Sequence, residues 1–369
     1  MKFKINRKDL SDSLNNLLRV VPNKSAIPAL EGIFIKASDG QIELTAYNLE
    51  IGIKTLIPAT IIEEGKIVVS AKLFSEIIRK APDNIINITV NNHNQIKIES
   101  NYSNSSISGI NADEFPELPN VENKNKFTVS SETLNNMIRQ TIFCTTENEG
   151  KPIYKGILFK IEDDTLDLVA ADGNRLAKRS EKITCNFNDY FIVPGKTLNE
   201  LSKISTDEEA EVEIILSRRH IMFKVENYII VSTILEGEFF DYKNAIPKKS
   251  TFELKIKTKD FIESTERVSI LLNDRLKSYI RCNIDNDTIK LSCSSSIGKA
   301  EDSFHCKTDG NIAEIGFHNR YLLEALKFSE CDEIIMKIDT SAPSLPILFC
   351  PLQGDSFNFL ILPVLLKRT

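Results

Sequence analysis

The sequence has no tryptophan, and its seven cysteines follow no metal-binding or disulfide pattern. They are Cys144, Cys185, Cys282, Cys293, Cys306, Cys331 and Cys350. No two of them form a Cys-x-x-Cys pair, and an odd number leaves at least one thiol outside any set of disulfides. A scattered set of this kind is typical of reduced thiols in the cytoplasm. We therefore predict no disulfide framework, no metal site and no cofactor.

Long apolar segments are also absent. No apolar run reaches the roughly 18 residues that a membrane span requires. The first residues, Met-Lys-Phe-Lys-Ile-Asn, lack the apolar core of a secretory signal. The composition, 41% hydrophobic and 27% charged, is ordinary for a globular protein. These features predict a cytoplasmic protein that does not associate with membranes.

Catalytic signatures are missing as well. The sequence contains no GxxxxGK[ST], GxGxxG, HExxH or GxSxG motif, and its four histidines stand far apart. One stretch, Ala171-Asp172-Gly173-Asn174-Arg175-Leu176, could belong to a hydrolase that uses Asp172 and Arg175. Asp-Gly-Asn is also a good turn sequence, and a turn with a local charge pair is the simpler interpretation. We predict a protein without enzymatic activity and keep the hydrolase as the alternative.

Positive charge is in slight deficit, with 46 Lys and Arg against 52 Asp and Glu and a net charge of −6. A basic stripe can coexist with an acidic body, so the sum alone does not exclude nucleic acid as a partner. Few aromatic residues lie among the basic ones, which disfavours a binder that stacks single-stranded bases. Contact with phosphates, without sequence readout, is the alternative to a mixed solvated surface.

The chain does contain a threefold internal repeat with a period of about 124 residues. Phe74-x-Glu76, Leu198-x-Glu200 and Leu322-x-Glu324 are spaced 124 residues apart. The same offset relates Gly32-Ile-Phe to Gly156-Ile-Leu and Glu114-Phe-Pro-Glu-Leu118 to Glu238-Phe-Phe-Asp-Tyr242. A period this long is a whole domain, since solenoid repeats run roughly 20–50 residues. We predict three domains, 1–124, 125–249 and 250–369.

Each repeat predicts two helices and several antiparallel strands, an α+β architecture. In the first repeat, apolar residues at helical spacing (Leu10, Leu14, Leu17 and Leu18) predict a helix over Arg7–Val21. Asp39-Gly40 between alternating apolar runs predicts a hairpin. The other predicted helices cover 71–80, 131–144, 196–204, 259–272 and 319–328.

Three further segments carry a resemblance to a known family. They are Leu168-Val-Ala-Ala-Asp-Gly-Asn-Arg-Leu-Ala177, Glu236-Gly-Glu-Phe-Phe-Asp-Tyr-Lys-Asn-Ala-Ile-Pro-Lys248 and Phe359-Leu-Ile-Leu-Pro363. Together with the repeat, they make the whole chain similar to the bacterial sliding clamps, the beta subunits of DNA polymerase III. Phe240 stands where the family usually has proline.

The resemblance implies a processivity factor built from three clamp domains per chain. Two chains would close head to tail into a ring around duplex DNA and slide without reading its sequence. The implied partners are the replicative polymerase catalytic subunit, a clamp loader, repair polymerases, ligase and mismatch-repair proteins, which would dock through short linear motifs. A purely structural repeat scaffold without DNA is a third possibility.

The resemblance also implies three sets of site residues. The partner-peptide pocket would contain Tyr154, Ala171, Gly173, Asn174, Arg175, Leu176, Phe240, Ala245, Pro346, Leu360 and Leu362. The DNA-binding residues would be Lys24, Lys72, Arg79 and Asn148. We add Lys196 to this set because of its place on a predicted helix. The dimer interface would contain Ile107, Ile270 and Leu271.

Overall fold

A computed structural model of the chain describes residues 1–121, 125–148, 150–205, 207–272, 279–308, 313–342 and 344–366. These residues form seven α-helices. The helices are α1 (Arg7–Leu17), α2 (Ala71–Lys80), α3 (Ser131–Ile142), α4 (Gly195–Ile204), α5 (Tyr242–Ala245), α6 (Thr258–Ser269) and α7 (Asn319–Ser329). Apart from the short α5, each repeat contributes two of them, as the sequence predicts.

The strands follow the same repeat. The first repeat has β1 (Lys2–Asn6), β2 (Gly32–Ser38), β3 (Gln41–Tyr47), β4 (Ile51–Pro58), β5 (Thr60–Glu63), β6 (Gly65–Ser70), β7 (Ile85–Val90), β8 (Gln95–Ser100) and β9 (Ser103–Ile110). The second has β10 (Asn125–Ser130), β11 (Gly156–Glu162), β12 (Thr165–Ala171), β13 (Arg175–Lys182), β14 (Asp189–Pro194), β15 (Glu211–Leu216), β16 (His220–Val225) and β17 (Tyr228–Thr233). The third has β18 (Phe252–Lys257), β19 (Tyr279–Asp285), β20 (Thr288–Ser295), β21 (Gly298–His305), β22 (Lys307–Thr308), β23 (Ala313–His318), β24 (Glu333–Ile338), β25 (Ile347–Pro351) and β26 (Phe357–Ile361).

Helix α1 is shorter than the sequence predicts. Its start is capped by Asn6, whose Oδ1 accepts from the backbone N–H groups of Lys8 at 2.8 Å and Asp9 at 3.4 Å. After Leu17 the chain turns more tightly, because Val20 N–H donates to Leu17 at 3.1 Å, a bond three residues back. The apolar spacing continues through this tight turn, which is why periodicity alone placed the helix end at Val21.

The chain divides into two compact units, and each is built on continuous antiparallel sheets. One unit comprises 1–134 with 196–234, and the other comprises 135–195 with 235–369. The first contains a 13-stranded sheet, in which β17 pairs with β4 through Tyr228 and Thr55. The second contains a 9-stranded sheet, in which β13 pairs with β26 through Leu176 and Leu360, and a 4-stranded sheet. The second repeat therefore shares its strands between two sheets, each of which also holds strands of another repeat.

Equivalent helix positions of the three repeats hold apolar residues because these positions are buried in the core. Leu10, Leu134 and Phe261, at the same place in the first helix of each repeat, are all at most 1% exposed. Phe74, Leu198 and Leu322, in the second helix of each repeat, are fully buried as well. A side chain lost at any of these six positions would leave a cavity that costs about 2–5 kcal/mol. The spacing of 124 residues that relates Phe74, Leu198 and Leu322 is thus a spacing of core positions.

The two repeated glycines are close-approach positions. A Cβ on Gly32 would lie 2.5 Å from Val68 Cγ1, and a Cβ on Gly156 would lie 2.6 Å from the carbonyl oxygen of Val193. Both glycines begin a strand that pairs with the strand leading into the second helix, at Ser70 and Pro194. Any larger residue would push these strands apart.

All seven cysteines are free thiols, as predicted. Burial raises the pKa of the Cys144 thiol well above its usual value, and it does the same for Cys282. In the part of the chain that the structure describes, no helix is long and apolar enough to cross a membrane. No group of three or more His, Cys, Asp or Glu side chains among the same residues could hold a metal ion.

Candidate partner-binding and DNA-binding sites

The turn between β12 and β13 is organised by Arg175. Asp172 Oδ1 accepts from the backbone N–H groups of Asn174 at 2.9 Å and Arg175 at 3.1 Å. Asp172 Oδ2 accepts from Arg175 Nε at 2.8 Å. The turn and the local charge pair are thus as the sequence predicts. Because both carboxylate oxygens are already engaged, Asp172 is poorly placed to act as the base of a hydrolase.

Arg175 has partners far away in sequence that the local pattern could not reveal. Its guanidinium donates to the carboxylate of Glu324 on α7 and to the carbonyl oxygen of Phe143 after α3. It also stacks over the ring of Tyr321, with 4.3 Å between Cζ and the ring centroid. The side chain is only 4% exposed. Arg175 therefore holds two helices and the β12–β13 turn together beneath the candidate pocket, and is not itself an open binding group.

Three of the predicted pocket residues lie on one face of the 9-stranded sheet. Ala171 pairs with Leu176, and Leu176 pairs with Leu360, so the three side chains stand side by side on β12, β13 and β26. All three belong to one apolar cluster, and Phe240 packs against it. The structure thus brings together four residues that are far apart in sequence. We call this core cluster and the partly buried side chains that pack against it the apolar pocket, as the candidate docking surface for a peptide.

Aromatic rings form one wall of the apolar pocket. Tyr154 contacts Phe239 and Phe240 edge to face, with ring centroids 5.8 and 6.1 Å apart. Phe239 and Phe240 stack on each other at 5.1 Å. All three rings are only partly buried, so part of their surface remains available to an apolar ligand. Phe240 is part of this wall.

The rim is formed by the β12–β13 turn and the chain after β26. The N–H of Leu362 donates to the carbonyl oxygen of Asn174 at 2.8 Å, and Leu362 is 42% exposed. Gly173 adopts a φ of +96°, which a residue with a side chain rarely does. Ala245 and Pro346 are half-buried, and each precedes an apolar residue of the same unit.

Several members of the apolar pocket escape sequence reasoning. Leu158, Val169, Ile192 and Leu348 belong to the cluster, and Ile153, Leu235 and Ile246 pack against it. Tyr242 also belongs to it and donates its hydroxyl to Asp167 Oδ2 at 2.8 Å. Burial raises the pKa of the Tyr242 hydroxyl, and the Asp167 carboxylate raises it further. The alternation of β12 and β13 could have indicated the sheet residues, but Tyr242 reaches Asp167 across 75 positions in sequence.

The predicted DNA contacts are exposed. Lys24, Lys72, Arg79 and Lys196 lie in the first unit, on or beside its helices, and Asn148 lies in the second unit. Among the residues described, no carboxylate oxygen lies within 4.0 Å of the side-chain nitrogens of these four basic residues. Some neighbouring bases are paired instead: Lys203, on the same helix as Lys196, with Glu200 at 2.7 Å, and Lys327 on α7 with Glu266 at 2.6 Å. The four unpaired residues are thus available to a phosphate backbone, as are other exposed bases such as Lys8 and Lys80.

The residues predicted at the dimer interface differ in exposure. Ile270, after α6, is 77% exposed, whereas Leu271 and Ile107 are half-buried. Ile297, which sequence reasoning missed, is 76% exposed and precedes Gly298, where an added Cβ would lie 3.6 Å from Leu271 Cδ1. Ile270 and Ile297 are thus large apolar side chains left in water beside Leu271, a pattern typical of an interaction surface.

The architecture and the comparisons with known proteins define the class: a DNA clamp of three tandem domains. The family described as DNA polymerase III beta subunit matches the chain with its N-terminal domain over 1–119, its central domain over 128–241 and its C-terminal domain over 243–365. The chain belongs to this family, the beta sliding clamps, which are non-catalytic processivity factors of DNA polymerase III.

Full-length relatives agree with the assignment. The beta sliding clamp of Bacillus subtilis (strain 168) is 32% identical over 377 residues, which is 99% of each chain. The crystal structure of the DNA polymerase sliding clamp from Bacillus subtilis superposes with a TM-score of 0.96 over 100% of both chains. A sliding clamp from Bartonella birtlesii, solved bound to griselimycin, is 27% identical with a TM-score of 0.92, covering 99% of this chain and 100% of that one. Since these relatives are clamps, the hydrolase alternative has no support.

Proposed function

We propose that two copies of the chain close head to tail into a ring around duplex DNA and tether the replicative polymerase catalytic subunit to it. The observation that carries the proposal is the full-length match to beta sliding clamps in both sequence and structure. In the ring, each chain contributes domains 1–124, 125–249 and 250–369. The further partners that we propose are a clamp loader, repair polymerases, ligase and mismatch-repair proteins. All of them would meet the clamp in the cytoplasm, and the chain itself requires no cofactor.

The unpaired basic residues of the first unit support loose contact with DNA. A topological tether works best with contacts that neutralise phosphates but read no bases, because tight contacts would slow sliding. Lys24, Lys72, Arg79 and Lys196 are exposed and have no carboxylate partner in the described chain, so their charge is not cancelled internally. We propose that they and Asn148 face the duplex.

Open sheet edges support the proposed closure of the ring. Strand β9 pairs with β8 over Ser103–Ser108, while its other edge pairs with β6 only at Gly109 and Ile110. Strand β21 pairs with β20 and is an edge strand of the 4-stranded sheet among the described residues. Open edges are templates for strand addition by another chain. We propose that these two edges meet between subunits, with Ile107, Ile270 and Leu271 packing at the seam.

The apolar pocket is the proposed docking site for short linear peptides. It offers a half-buried aromatic wall, an apolar floor and an exposed Leu362 at its rim. Partly exposed aromatic and leucine side chains anchored on a rigid sheet are typical of such sites. We propose that griselimycin, which the Bartonella birtlesii clamp binds, occupies the same pocket of this chain.

Retention on DNA tests the ring directly. We expect protein loaded by its cognate clamp loader to stay on a nicked circular plasmid in moderate salt. A single double-strand cut should then release it, because cutting changes the topology and leaves every local contact intact. The measurement is the protein bound after gel filtration, before and after linearisation. Equal retention on circular and linear DNA would mean direct binding and would contradict the ring.

The proposed phosphate contacts predict a change in salt dependence. Replacing Lys72 and Arg79 by alanine should make the salt dependence of binding to linear duplex shallower. The negative slope of the logarithm of the association constant against log salt should shrink in magnitude by about 1.8, at about 0.9 per phosphate contact. The control is Lys203→Ala, which removes a lysine already paired with Glu200 at 2.7 Å. The slopes come from binding titrations at salt concentrations of roughly 25 to 150 mM, a range chosen to extend from strong to weak binding. Identical slopes for wild type and the double variant would exclude these residues from the DNA contact.

A further inference from the structure

A second cavity adjoins the apolar pocket on the same face of the 9-stranded sheet. It has a volume of about 430 Å³. Its apolar floor contains Ile246, Ile335, Leu348 and Cys350, all of which also belong to, or pack against, the apolar pocket. We call this second cavity the lysine cavity, after Lys178, Lys248, Lys249 and Lys337 in its wall.

Strand register places the lysine cavity within reach of a docked peptide. Leu176 pairs with Leu360, Leu360 with Leu348, and Leu348 with Lys337, so these side chains form one row across four strands. At about 4.8 Å between neighbouring strands, Leu348 lies about 10 Å and Lys337 about 14 Å from Leu176. An extended peptide covers that distance in about three to five residues, at roughly 3.3 Å per residue.

The charges in the wall of the lysine cavity leave two lysines unpaired. Lys337 is paired with Glu253 at 2.9 Å, and Lys178 is paired with Asp167 at 3.3 Å. Lys248 and Lys249 are exposed, and among the residues described no carboxylate oxygen lies within 4.0 Å of either ammonium group. Of the acidic residues in the wall, Asp339 accepts from the N–H of Ser341 at 2.9 Å, and Asp355 lies in the loop after β25. The two unpaired ammonium groups favour an anionic ligand.

A buried amide in the wall supports the same conclusion independently. Asn358 is 8% exposed and lines the lysine cavity. Within the described chain its carboxamide has no hydrogen-bond partner. Its Oδ1 and Nδ2 are not among the fully buried polar atoms that lack a partner, so the amide keeps contact with solvent and is available to a ligand in the cavity. The amide NH₂ of Asn358 can donate to a carboxylate, as the lysine ammonium groups can.

We propose that the lysine cavity binds an acidic side chain of a partner peptide whose apolar part occupies the apolar pocket. The inference rests on the proposed docking of peptides there, and adds the chemistry of their flank: an Asp or Glu three to five residues from the apolar anchor. The carboxylate meets Lys248 and Lys249 at the rim and accepts from Asn358 deeper in the cavity. The neighbouring carboxylates Glu253 and Asp355 repel ligands with dispersed negative charge and favour a single acidic group.

Peptide selection tests this chemistry without assuming a partner sequence. A phage-displayed library of random dodecapeptides is selected on the full chain and on a variant with Lys248→Glu and Lys249→Glu. The matched control carries Lys2→Glu and Lys4→Glu, two exposed lysines of β1 in the other unit. We expect Asp and Glu to be enriched beside an apolar anchor on the wild type and on the control, and the enrichment to disappear on the Lys248/Lys249 variant.

Affinities of one selected peptide complete the test. Exchange of its Asp or Glu for Asn or Gln should weaken binding to wild type about tenfold, and should change binding to the Lys248/Lys249 variant less than about twofold. The Asn358→Leu variant should bind the acidic peptide more weakly and the neutral peptide as well as wild type does. Its own unfolding midpoint should be unchanged. Binders without acidic enrichment would overturn this inference and leave peptide docking intact. If none of the selected peptides binds at the apolar pocket around Leu176, the proposed docking site is wrong, and this inference falls with it.

Discussion

Replacing Ile270 and Leu271 together by alanine is expected to convert the dimer into a monomer. Ile270 is 77% exposed in the single chain, so its burial requires a second molecule. Truncation of each side chain removes about 1–2 kcal/mol of apolar burial. A head-to-tail ring has two such interfaces, so dissociation into monomers loses about 4–8 kcal/mol in all, which corresponds to a rise in the dimer dissociation constant of about 700-fold or more. Sedimentation equilibrium over a range of concentrations measures the shift.

An equally apolar surface position provides the control for this variant. Ile62 on β5 is 49% exposed and lies far in sequence from the proposed seam. Ile62→Ala should leave the dissociation constant unchanged, because it removes surface that stays in water. An unaltered dimer in the Ile270/Leu271 variant would place the interface elsewhere. Ile297→Ala, at the neighbouring exposed position, should weaken the dimer by itself, to a smaller extent.

Replacing Arg175 by leucine is expected to produce the largest loss of stability of any charge change in the described chain. The substitution leaves Asp172, Glu324 and the carbonyl oxygen of Phe143 without their donor. Removing one partner of a buried ion pair typically costs about 3–5 kcal/mol. The unfolding midpoint in urea should fall accordingly. Peptide affinity should fall with it, because Arg175 fixes the turn that carries Asn174 at the pocket rim.

An exposed ion pair separates this effect from charge loss in general. Arg139 is paired with Glu330 at 2.8 Å, and its side chain is 52% exposed. Arg139→Leu should cost less than about 1 kcal/mol, because water replaces most of what the pair contributed. Arg175→Lys should lie between the two, since lysine keeps the charge but cannot reach three separate acceptors. Equal midpoints for the Arg175 and Arg139 variants would show that the buried network does not stabilise the fold.

The internal repeat was readable because it is a pattern of core positions. Phe74, Leu198 and Leu322 recur at one spacing, and all three are fully buried. Helix α2 lies where apolar periodicity places it, at Ala71–Lys80. Helix α6, in contrast, ends at Ser269 and not at the predicted Leu272. Periodicity records which side chains face the core and is blind to the backbone hydrogen bonds that end a helix.

The apolar pocket was only partly predictable. The resemblance named Leu176, Leu360 and Phe240, which the structure brings into one cluster. It did not name Tyr242, whose hydroxyl reaches Asp167, or Leu348, which joins the pocket to the lysine cavity. The sequence around these residues does not indicate a role in the pocket, because their spacing is that of ordinary strands and turns. The role of Tyr242 arises only when it is packed against Asp167, 75 positions away in sequence.

The sequence by itself determined that the chain repeats one α+β unit three times and lacks any catalytic signature. It also indicated the Asp172–Arg175 turn, since local patterns record local hydrogen bonds and core spacing. Only the tertiary structure decided that Arg175 joins Glu324 across 149 positions, and that Asn358 lines the same cavity as Lys248 and Lys249. Such contacts depend on the register between distant strands, and the pairing of one strand with another is not encoded in the residues of either strand alone.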